Sequence, residues 1–230
     1  AARLYEVCCP EVEVHTYETA EFNGAWRHPA RLLQFWRKIR SLKPDACLLG
    51  SDQGSVAHFL ARFSGARAVV GPLSERVKLN ALLNLRLPSE GEEHVAIHNW
   101  RIAQALIRHL KLPALPEQMP PPDLSAFGRE GHGSVVMHAG ASRAYKRWPL
   151  ERGIELANRL SARNAVTWFE QGEAGEDMLK PEVRRVKPGP LDELVRVMAG
   201  AKYFIGNNSG PMNIASALGV PGTIFNGPST

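Results

Sequence analysis

Short apolar runs alternate along the chain with longer segments in which apolar side chains recur every three or four residues. The short runs predict strands and the longer segments predict amphipathic helices. In the segment 29–42, Leu32, Phe35, Trp36 and Ile39 recur at helical spacing, which is typical of side chains that face a core. Predicted strands of the first half cover residues 12–17, 46–50 and 66–71, and predicted helices cover 29–42, 54–65 and 93–112.

The second half repeats this alternation after a segment rich in Pro and Gly. Its predicted strands cover 134–140, 165–172 and 201–206, and its predicted helices cover 149–163, 190–200 and 212–219. Strands that alternate with helices predict an α/β fold with a parallel sheet in each half. We therefore expect two Rossmann-like domains, 1–112 and 134–230, joined by a linker at 113–133. Two such domains leave a cleft beyond the carboxyl ends of their strands, where ligands of α/β sheets bind.

A polar turn, "GNNSGPMN", connects the last predicted strand of the chain to its last predicted helix. Ser209 is a suitable N-cap, Pro211 suits the first helical turn, and Gly219 ends the helix. One interpretation is a well-capped strand-to-helix turn and nothing more. The other is an anion site, because Gly206 and Gly210 would let a phosphate approach the free amides at the helix start.

Two further loops follow predicted strands and carry charged side chains. In "HAGASRAYKRWP", small residues precede Arg143 and Lys146, which could neutralise a diphosphate or form a solvated basic loop. The loop lacks the ending of a Walker motif. In "FEQGEAGE", a carboxylate of Glu170, Glu173 or Glu176 could accept hydrogen bonds from ribose hydroxyls, although a solvated acidic loop fits the pattern equally well.

Composition narrows the class of partner. A net charge of +5 and a pI near 9.3 favour anionic partners. Dispersed basic residues without a nucleic-acid-binding motif argue against nucleic acid. No apolar run is long enough for a membrane span, and no signal-peptide pattern opens the chain. Cys8, Cys9 and Cys47 form neither a disulfide framework nor a metal spacing, so we expect a cytoplasmic protein.

The order of these motifs resembles the ADP-heptose:lipopolysaccharide heptosyltransferases, glycosyltransferase family nine. The resemblance rests on "HAGAS" with its following Lys-Arg-Trp-Pro, on the glycine–glutamate turn, on "CLLGSDQGSVAHFLARFSGARAVVG", and most specifically on 203–228. It implies GT-B architecture, with an ADP-sugar held mainly by the C-terminal domain. The donor-binding positions that it implies are Ser142, Lys146, Asn208, Ser209, Gly210 and Asn213, together with a glutamate for which Glu173 and Glu176 compete.

The chain departs from the family pattern in three places. Asn208 stands where the family usually has aspartate, and Asn213 stands where it usually has histidine. The family's first strand, turn and helix, which carry the presumed catalytic aspartate, have no counterpart after Ala1. We therefore expect a fragment or a short relative with the family base upstream of Ala1. Asp52 is the remaining candidate for a base, although aspartate just before a helix start more commonly caps it.

The function implied by the resemblance is an inverting transfer of heptose, or a related sugar, to a lipopolysaccharide inner-core acceptor. The sequence predicts no metal site and no cofactor besides the ADP-sugar donor. An anionic lipid or oligosaccharide acceptor would bring the protein to the inner face of the inner membrane as a peripheral protein. Two alternatives stay open, namely a nucleotide-sugar-binding scaffold with impaired catalysis and a GT-B-like sugar epimerase. Selective binding of ADP, of UDP, or of neither nucleotide would distinguish the three.

Overall fold

The computed structural model describes residues 2–18, 21–22, 24–50, 54–73, 77–130, 133–141, 143–172 and 175–226. The chain divides into two compact units, one formed by 1–14 with 121–230 and the other by 15–120. The helices are α1 (Ala2–Cys8), α2 (Pro29–Ser41), α3 (Ser55–Arg62), α4 (Val77–Asn80), α5 (Val95–His109), α6 (Leu150–Leu160), α7 (Leu191–Ala199) and α8 (Gly210–Ala217). The strands are β1 (Ala46–Leu48), β2 (Ala68–Pro72), β3 (Leu85–Leu87), β4 (Ser134–His138), β5 (Val166–Phe169), β6 (Val183–Val186), β7 (Ala201–Asn207) and β8 (Gly222–Phe225).

The unit that contains residues 121–230 is built on a five-stranded parallel sheet in the order β6-β5-β4-β7-β8. This order is that of a Rossmann fold, in which the chain starts at a central strand, proceeds to one edge, and then returns to the other side of the first strand. Its apolar side chains form two clusters. One contains Trp168 and Ile154 of α6, and the other contains Phe204 and Met198 of α7. The sheet therefore buries both faces, as parallel sheets do.

The helix α1 belongs to this unit although it stands at the other end of the chain. Its Leu4 and Val7 pack against a cluster of Leu124, Phe127 and Val195. Arg3 also forms an ion pair with Asp192 of α7, in which Nη2 of Arg3 donates to Oδ2 of Asp192 at 3.2 Å. Residues 121–130 are thus packed into the unit through Leu124 and Phe127, which are 8% and 7% exposed.

The unit formed by 15–120 has a smaller parallel sheet in the order β1-β2-β3. Val69 of β2 and Val56 and Leu60 of α3 lie at the centre of its core and are almost fully buried. Helix α2 packs on this core through the four side chains that the helical spacing predicts, Leu32, Phe35, Trp36 and Ile39. The prediction of an α/β fold with parallel sheets in both halves is confirmed.

One local prediction is wrong, and another falls on residues that are not described. Residues 12–17 form no strand. Their apolar and polar side chains alternate as in a strand, but within the described residues no neighbouring strand pairs with them. The ring of Tyr17 instead stacks on that of Phe22, with centroids 4.2 Å apart. The N-cap of α3 is Gly54, with no side-chain cap. Asp52, the predicted cap of this helix, lies outside the described residues.

Candidate functional site

The strand order places two loops of the sequence at one point of the larger sheet. The segment after β4 and the turn after β7 leave neighbouring strands at their carboxyl ends, and β4 is the strand from which the chain winds in both directions. Ligands of open α/β sheets bind at such a switch point. The loops "HAGASRAYKRWP" and "NNSG" therefore meet where this fold class binds ligands.

The start of α8 leaves its amides available. Ser209 is the N-cap, as predicted, with φ −155° and ψ 177°, but its side chain does not cap the helix. Its Oγ instead donates to the carbonyl of Asn207 at 3.1 Å and lies 3.3 Å from Nδ1 of His138. In the described part of the chain, the N–H groups of Ser209 and Gly210 donate to no protein group, and no acidic side chain lies in the first turn. The helix start thus presents unpaired donors and the positive end of the helix dipole.

The surroundings of Gly210 are open. A Cβ added at Gly210 would find no atom within 4 Å, and its φ lies outside the left-handed region. Gly206 differs, because a Cβ there would lie 2.7 Å from the carbonyl oxygen of His138. Gly206 therefore permits strand packing inside the sheet, whereas its predicted role in phosphate access stays a prediction. At the far end of the helix, Gly219 has φ +68° and forms the expected C-terminal turn, with Val220 N–H donating to the carbonyl of Ala215 at 2.9 Å.

The side chain of Asn207 joins the two loops. Its Oδ1 accepts a hydrogen bond from the amide of Trp148 at 3.0 Å, and its Nδ2 donates to the carbonyl of Ala139. Asn207 is 1% exposed, so these bonds have little competition from water. The ring of Trp148 stacks on Phe225 of β8, with centroids 4.2 Å apart. The Lys146 loop is thus fixed against the start of α8.

His138 lies at the end of β4, beneath these loops, and is 8% exposed. Burial lowers its pKa to about 4, against the opposing effects of a hydrogen bond with Gln171 and of the negative charge of Glu176. The imidazole is therefore neutral at neutral pH. A neutral ring can accept or donate one hydrogen bond towards Ser209 without adding charge at the helix start.

Glu176 organises the turn after β5 from a buried position, with 3% of its surface exposed. Its Oε1 accepts hydrogen bonds from Nε1 of Trp168 and from the amide of Gln171, both at 2.9 Å, and its Oε2 accepts from the amide of Gly172 at 3.0 Å. A carboxylate with three donors in place holds the backbone of this turn, and its oxygens are already engaged within the protein. Of the two competing glutamates, Glu176 thus has a structural role, and Glu173 lies outside the described residues.

A pocket of about 410 Å³ opens beside His138, at the carboxyl ends of β5 and β6. Its walls are residues 169–171, residues 186–190 and Glu193 of α7. Phe169, Val186 and the prolines give it apolar surface, while its polar groups come from His138, Gln171, Lys187 and the carboxylates of Glu170 and Glu193. A pocket of this size that combines apolar surface with converging polar groups is suited to a small molecule. Residues 186–189 were not assigned to any element from the sequence, because β6 was not predicted.

The remaining predicted site residues lie partly within and partly outside the described residues. Lys146 is half-buried in a single 3-10 turn, Ala144–Lys146, and has no ion-pair partner among the described residues. Asn208 and Asn213 are exposed near the start of α8. Ser142, Glu173 and Asp52 lie outside the described residues. His138, Asn207 and the structural role of Glu176 were missed, although all three lie within or beside the quoted loops.

In the part of the chain that the structure describes, no group of three or more His, Cys, Asp and Glu side chains could hold a metal ion. Among those residues, no helix combines the length and the apolar character that crossing a membrane requires.

Comparison with known proteins identifies relatives of this chain. The model of glycosyltransferase family 9 (heptosyltransferase) matches residues 32–228. The E. coli heptosyltransferase WaaC with ADP superimposes with a TM-score of 0.74 at 17% identity, over 100% of this chain and 76% of that one. The E. coli ADP-heptose lps heptosyltransferase II superimposes with a TM-score of 0.66 at 23% identity, over 88% of this chain and 68% of that one. A glycosyl transferase family 9 protein from Veillonella parvula superimposes with a TM-score of 0.74 at 15% identity, over 99% of this chain and 70% of that one. No curated protein sequence matches the chain. The structural likenesses show a GT-B-like fold.

Proposed function

Because the chain belongs to glycosyltransferase family 9, the heptosyltransferase family, we propose that it transfers a heptose or related sugar from an ADP-sugar to a lipopolysaccharide inner-core acceptor. The observation that carries the proposal is the start of α8, where the Ser209 and Gly210 amides are unpaired beside the Lys146 loop. Backbone amides at a helix start are suited to phosphate. Two relatives described above are named for ADP or for ADP-heptose.

The proposed donor position follows from the two parts of the site. The diphosphate lies at the start of α8, with Lys146 as its cation. The adenosine enters the pocket of about 410 Å³ beside His138, where Glu170 or Glu193 accepts hydrogen bonds from the ribose hydroxyls. The exposed amides of Asn208 and Asn213 are neutral, so they add no charge beside the phosphates. In this arrangement Lys146 and the helix dipole neutralise charge on the diphosphate.

The proposed reaction is an inverting transfer without a divalent ion. A carboxylate removes the proton of the acceptor hydroxyl, whose oxygen attacks the anomeric carbon as the bond to the ADP oxygen breaks. Negative charge grows on the leaving ADP, and Lys146 with the amides of residues 209 and 210 stabilises it. Asp52 is the candidate base of this chain. The acceptor is proposed as an anionic lipid or oligosaccharide, reached by peripheral association with the inner face of the inner membrane.

Calorimetric titration with ADP, UDP and GDP tests the proposal. We expect saturable binding of ADP and at least tenfold weaker binding of UDP and GDP, because the pocket rather than the phosphate site distinguishes the bases. A preference for UDP would support the sugar epimerase instead, and a lack of nucleotide binding would support a scaffold protein. Transfer from ADP-heptose to a deacylated core acceptor then tests the reaction itself.

A further inference from the structure

The candidate site contains a buried titratable side chain that the proposed reaction does not use. His138 ends β4, is 8% exposed, and lines the pocket at the carboxyl ends of β5 and β6. Its Nδ1 lies 3.3 Å from Oγ of Ser209, the N-cap residue of α8. The imidazole therefore stands one hydrogen bond away from the proposed position of the phosphates.

Gln171 determines which ring nitrogen of His138 carries the proton. The Nε2 of Gln171 donates to the carbonyl of Glu170 at 2.9 Å, which leaves its Oε1 as an acceptor for the ring. The bond between Gln171 and the ring raises the pKa of His138, as a bond to an acceptor does, although burial lowers that pKa more strongly. Because Nδ1 faces Ser209, the N–H that Gln171 accepts is that of the ring Nε2. The neutral ring thus presents an unprotonated Nδ1 to the Ser209 hydroxyl.

Gly140 makes room for the contact between Gln171 and His138. A Cβ added at Gly140 would lie 2.6 Å from Cδ of Gln171 and 3.0 Å from Cε1 of His138. Any other residue at this position would displace the Gln171 side chain from the ring. The glycine of the first donor-side loop therefore maintains the hydrogen bond that fixes the ring proton.

A phosphate at the start of α8 would change the hydrogen bonds of Ser209. Without a ligand, the hydroxyl donates to the carbonyl of Asn207 at 3.1 Å. A phosphate oxygen is a charged acceptor and forms the stronger bond, so the hydroxyl would turn to it. Oγ would then accept from the ring, but Gln171 keeps the single ring proton on Nε2. The ring of His138 can therefore supply an Nδ1–H only by taking up a second proton.

We propose that His138 is a positioning residue of the donor site, which takes up a proton when the diphosphate binds and then holds the Ser209 hydroxyl against the phosphate. The proton comes from solvent, which reaches the ring through the pocket, and returns to solvent when the nucleotide leaves. The inference rests on the proposed binding of the diphosphate at the start of α8. It deepens that proposal, because the site would gain a positive charge only when it is loaded.

Several charged side chains surround the ring. Those on the walls of the same pocket are Glu170, Lys187 and Glu193. Arg185 forms an ion pair with Glu170, and the negative charge of Glu176 favours the protonated ring. Lys146, in the loop between β4 and α6, opposes protonation until the diphosphate neutralises it. Burial outweighs the carboxylates and lowers the pKa of the ligand-free ring to about 4.

The charge of the diphosphate is sufficient to overcome this effect of burial. A phosphate oxygen bonded to Oγ of Ser209 would stand about 6 Å from Nδ1, the sum of two hydrogen-bond lengths. One negative charge at about 6 Å favours protonation about 100-fold at an effective dielectric constant of about 20. A ligand that raises a pKa is bound together with a proton, so the affinity for ADP should rise as the pH falls.

Calorimetric titration with ADP at pH 7 and pH 5, in two buffers of different ionisation enthalpy, tests the inference. Starting from a pKa of about 4 for the ligand-free ring, a 100-fold effect makes ADP bind about tenfold more tightly at pH 5, with uptake of nearly one proton. ADP itself titrates in this range, so both quantities are measured as differences from His138→Leu. In His138→Asn an amide near the position of Nδ1 can donate without an added proton, so this variant should keep the affinity at pH 7 but show no proton uptake.

A double-mutant cycle at pH 5 tests whether His138 acts through Ser209. Ser209→Ala should weaken ADP binding about tenfold in the unchanged protein, the lower end for a charge-assisted hydrogen bond. In the background of His138→Leu it should have a much smaller effect, because the hydroxyl is then no longer held. Losses that multiply would show two independent groups and would overturn the positioning role.

A matched control, His109→Asn, removes an exposed histidine of the other unit and should keep both the tenfold gain and the proton uptake. Nitrogen-15 NMR of the ring should show Nδ1 unprotonated without ADP and protonated with ADP at pH 5, which tests the inference even where His138→Leu does not fold. A ring that stays neutral with ADP bound, or the same pH profile in His138→Leu, would overturn the inference and leave the donor site standing. A lack of ADP binding at both pH values would contradict the donor site and this inference together.

Discussion

Replacement of the buried carboxylate of Glu176 tests how the donor-side turn is held in place. In Glu176→Gln, the amide oxygen can still accept from Trp168 and Gln171, but the amide nitrogen faces the N–H of Gly172 at 3.0 Å. One donor therefore loses its acceptor, and a charged acceptor becomes neutral. Such a change costs about 1–3 kcal/mol of unfolding free energy.

The variant Glu176→Ala removes all three acceptor contacts. Gln171 and Gly172 are exposed, so water can replace the carboxylate at their amides, whereas the indole N–H of Trp168 is 1% exposed and loses its partner outright. We expect a total loss of about 3–5 kcal/mol, in the range for breaking a buried charged contact. Affinity for ADP should fall as well, because residues 169–171 form one wall of the pocket.

Urea unfolding followed by tryptophan fluorescence and far-UV circular dichroism measures these losses, and calorimetry measures the ADP affinity. The control is Asp177→Asn, which removes an exposed neighbouring carboxylate and should change the free energy by less than about 0.5 kcal/mol. If Glu176→Gln is as stable as Asp177→Asn, Glu176 does not hold the turn and our interpretation of the loop is wrong.

Three further predictions concern the donor site. Lys146→Ala should weaken ADP binding by about 1–3 kcal/mol, five- to 150-fold, whereas the exposed Lys180→Ala should not, and equal affinity in both would make Lys146 part of a solvated loop. Since His138 has a pKa of about 4 when folded and about 6.5 when unfolded, only the unfolded chain gains this proton as the pH falls below 6.5. The unfolding free energy should therefore drop by about 3 kcal/mol between pH 6.5 and pH 4, and NMR titration of the His138 ring should give the folded pKa directly; a midpoint near 6.5 would show that the ring is solvated. Addition of EDTA should leave ADP affinity unchanged, because Lys146 and the helix amides neutralise the diphosphate, and a marked loss would indicate a divalent ion.

Elements that depend only on the pattern of apolar and polar residues within one segment could be predicted from the sequence. The helical spacing in α2 and the apolar run of β4 are properties of neighbouring residues, and both elements formed where expected. Strand β6 was missed because it is four residues long, with two exposed arginines between buried valines. Residues 12–17 show the converse, since alternation alone does not make a strand without a neighbouring strand.

The candidate site was predicted through its loops but not through the contacts that organise them. The turn after β7 was recognised by its glycine, serine and proline, which have local conformational preferences. The bonds of Asn207 to Trp148 span 59 residues, and those of Glu176 depend on burial beside Trp168. Such roles arise only when the sheet brings distant segments together, so residue type and spacing could not reveal them.

The central claim is that the start of α8 holds the phosphates of the donor, and ADP titration of Gly210→Val tests it most directly. A side chain at Gly210 meets no atom within 4 Å and strains no positive φ, so the variant should fold like the unchanged protein. Its branched side chain would stand before the amides of residues 209 and 210, and the heat of ADP binding should vanish, with Gly210→Ala intermediate. Ser216→Val, an exposed position near the other end of the same helix, should bind ADP normally. A folded Gly210→Val variant that binds ADP with unchanged affinity would contradict the account, because the turn would then be only the start of a helix.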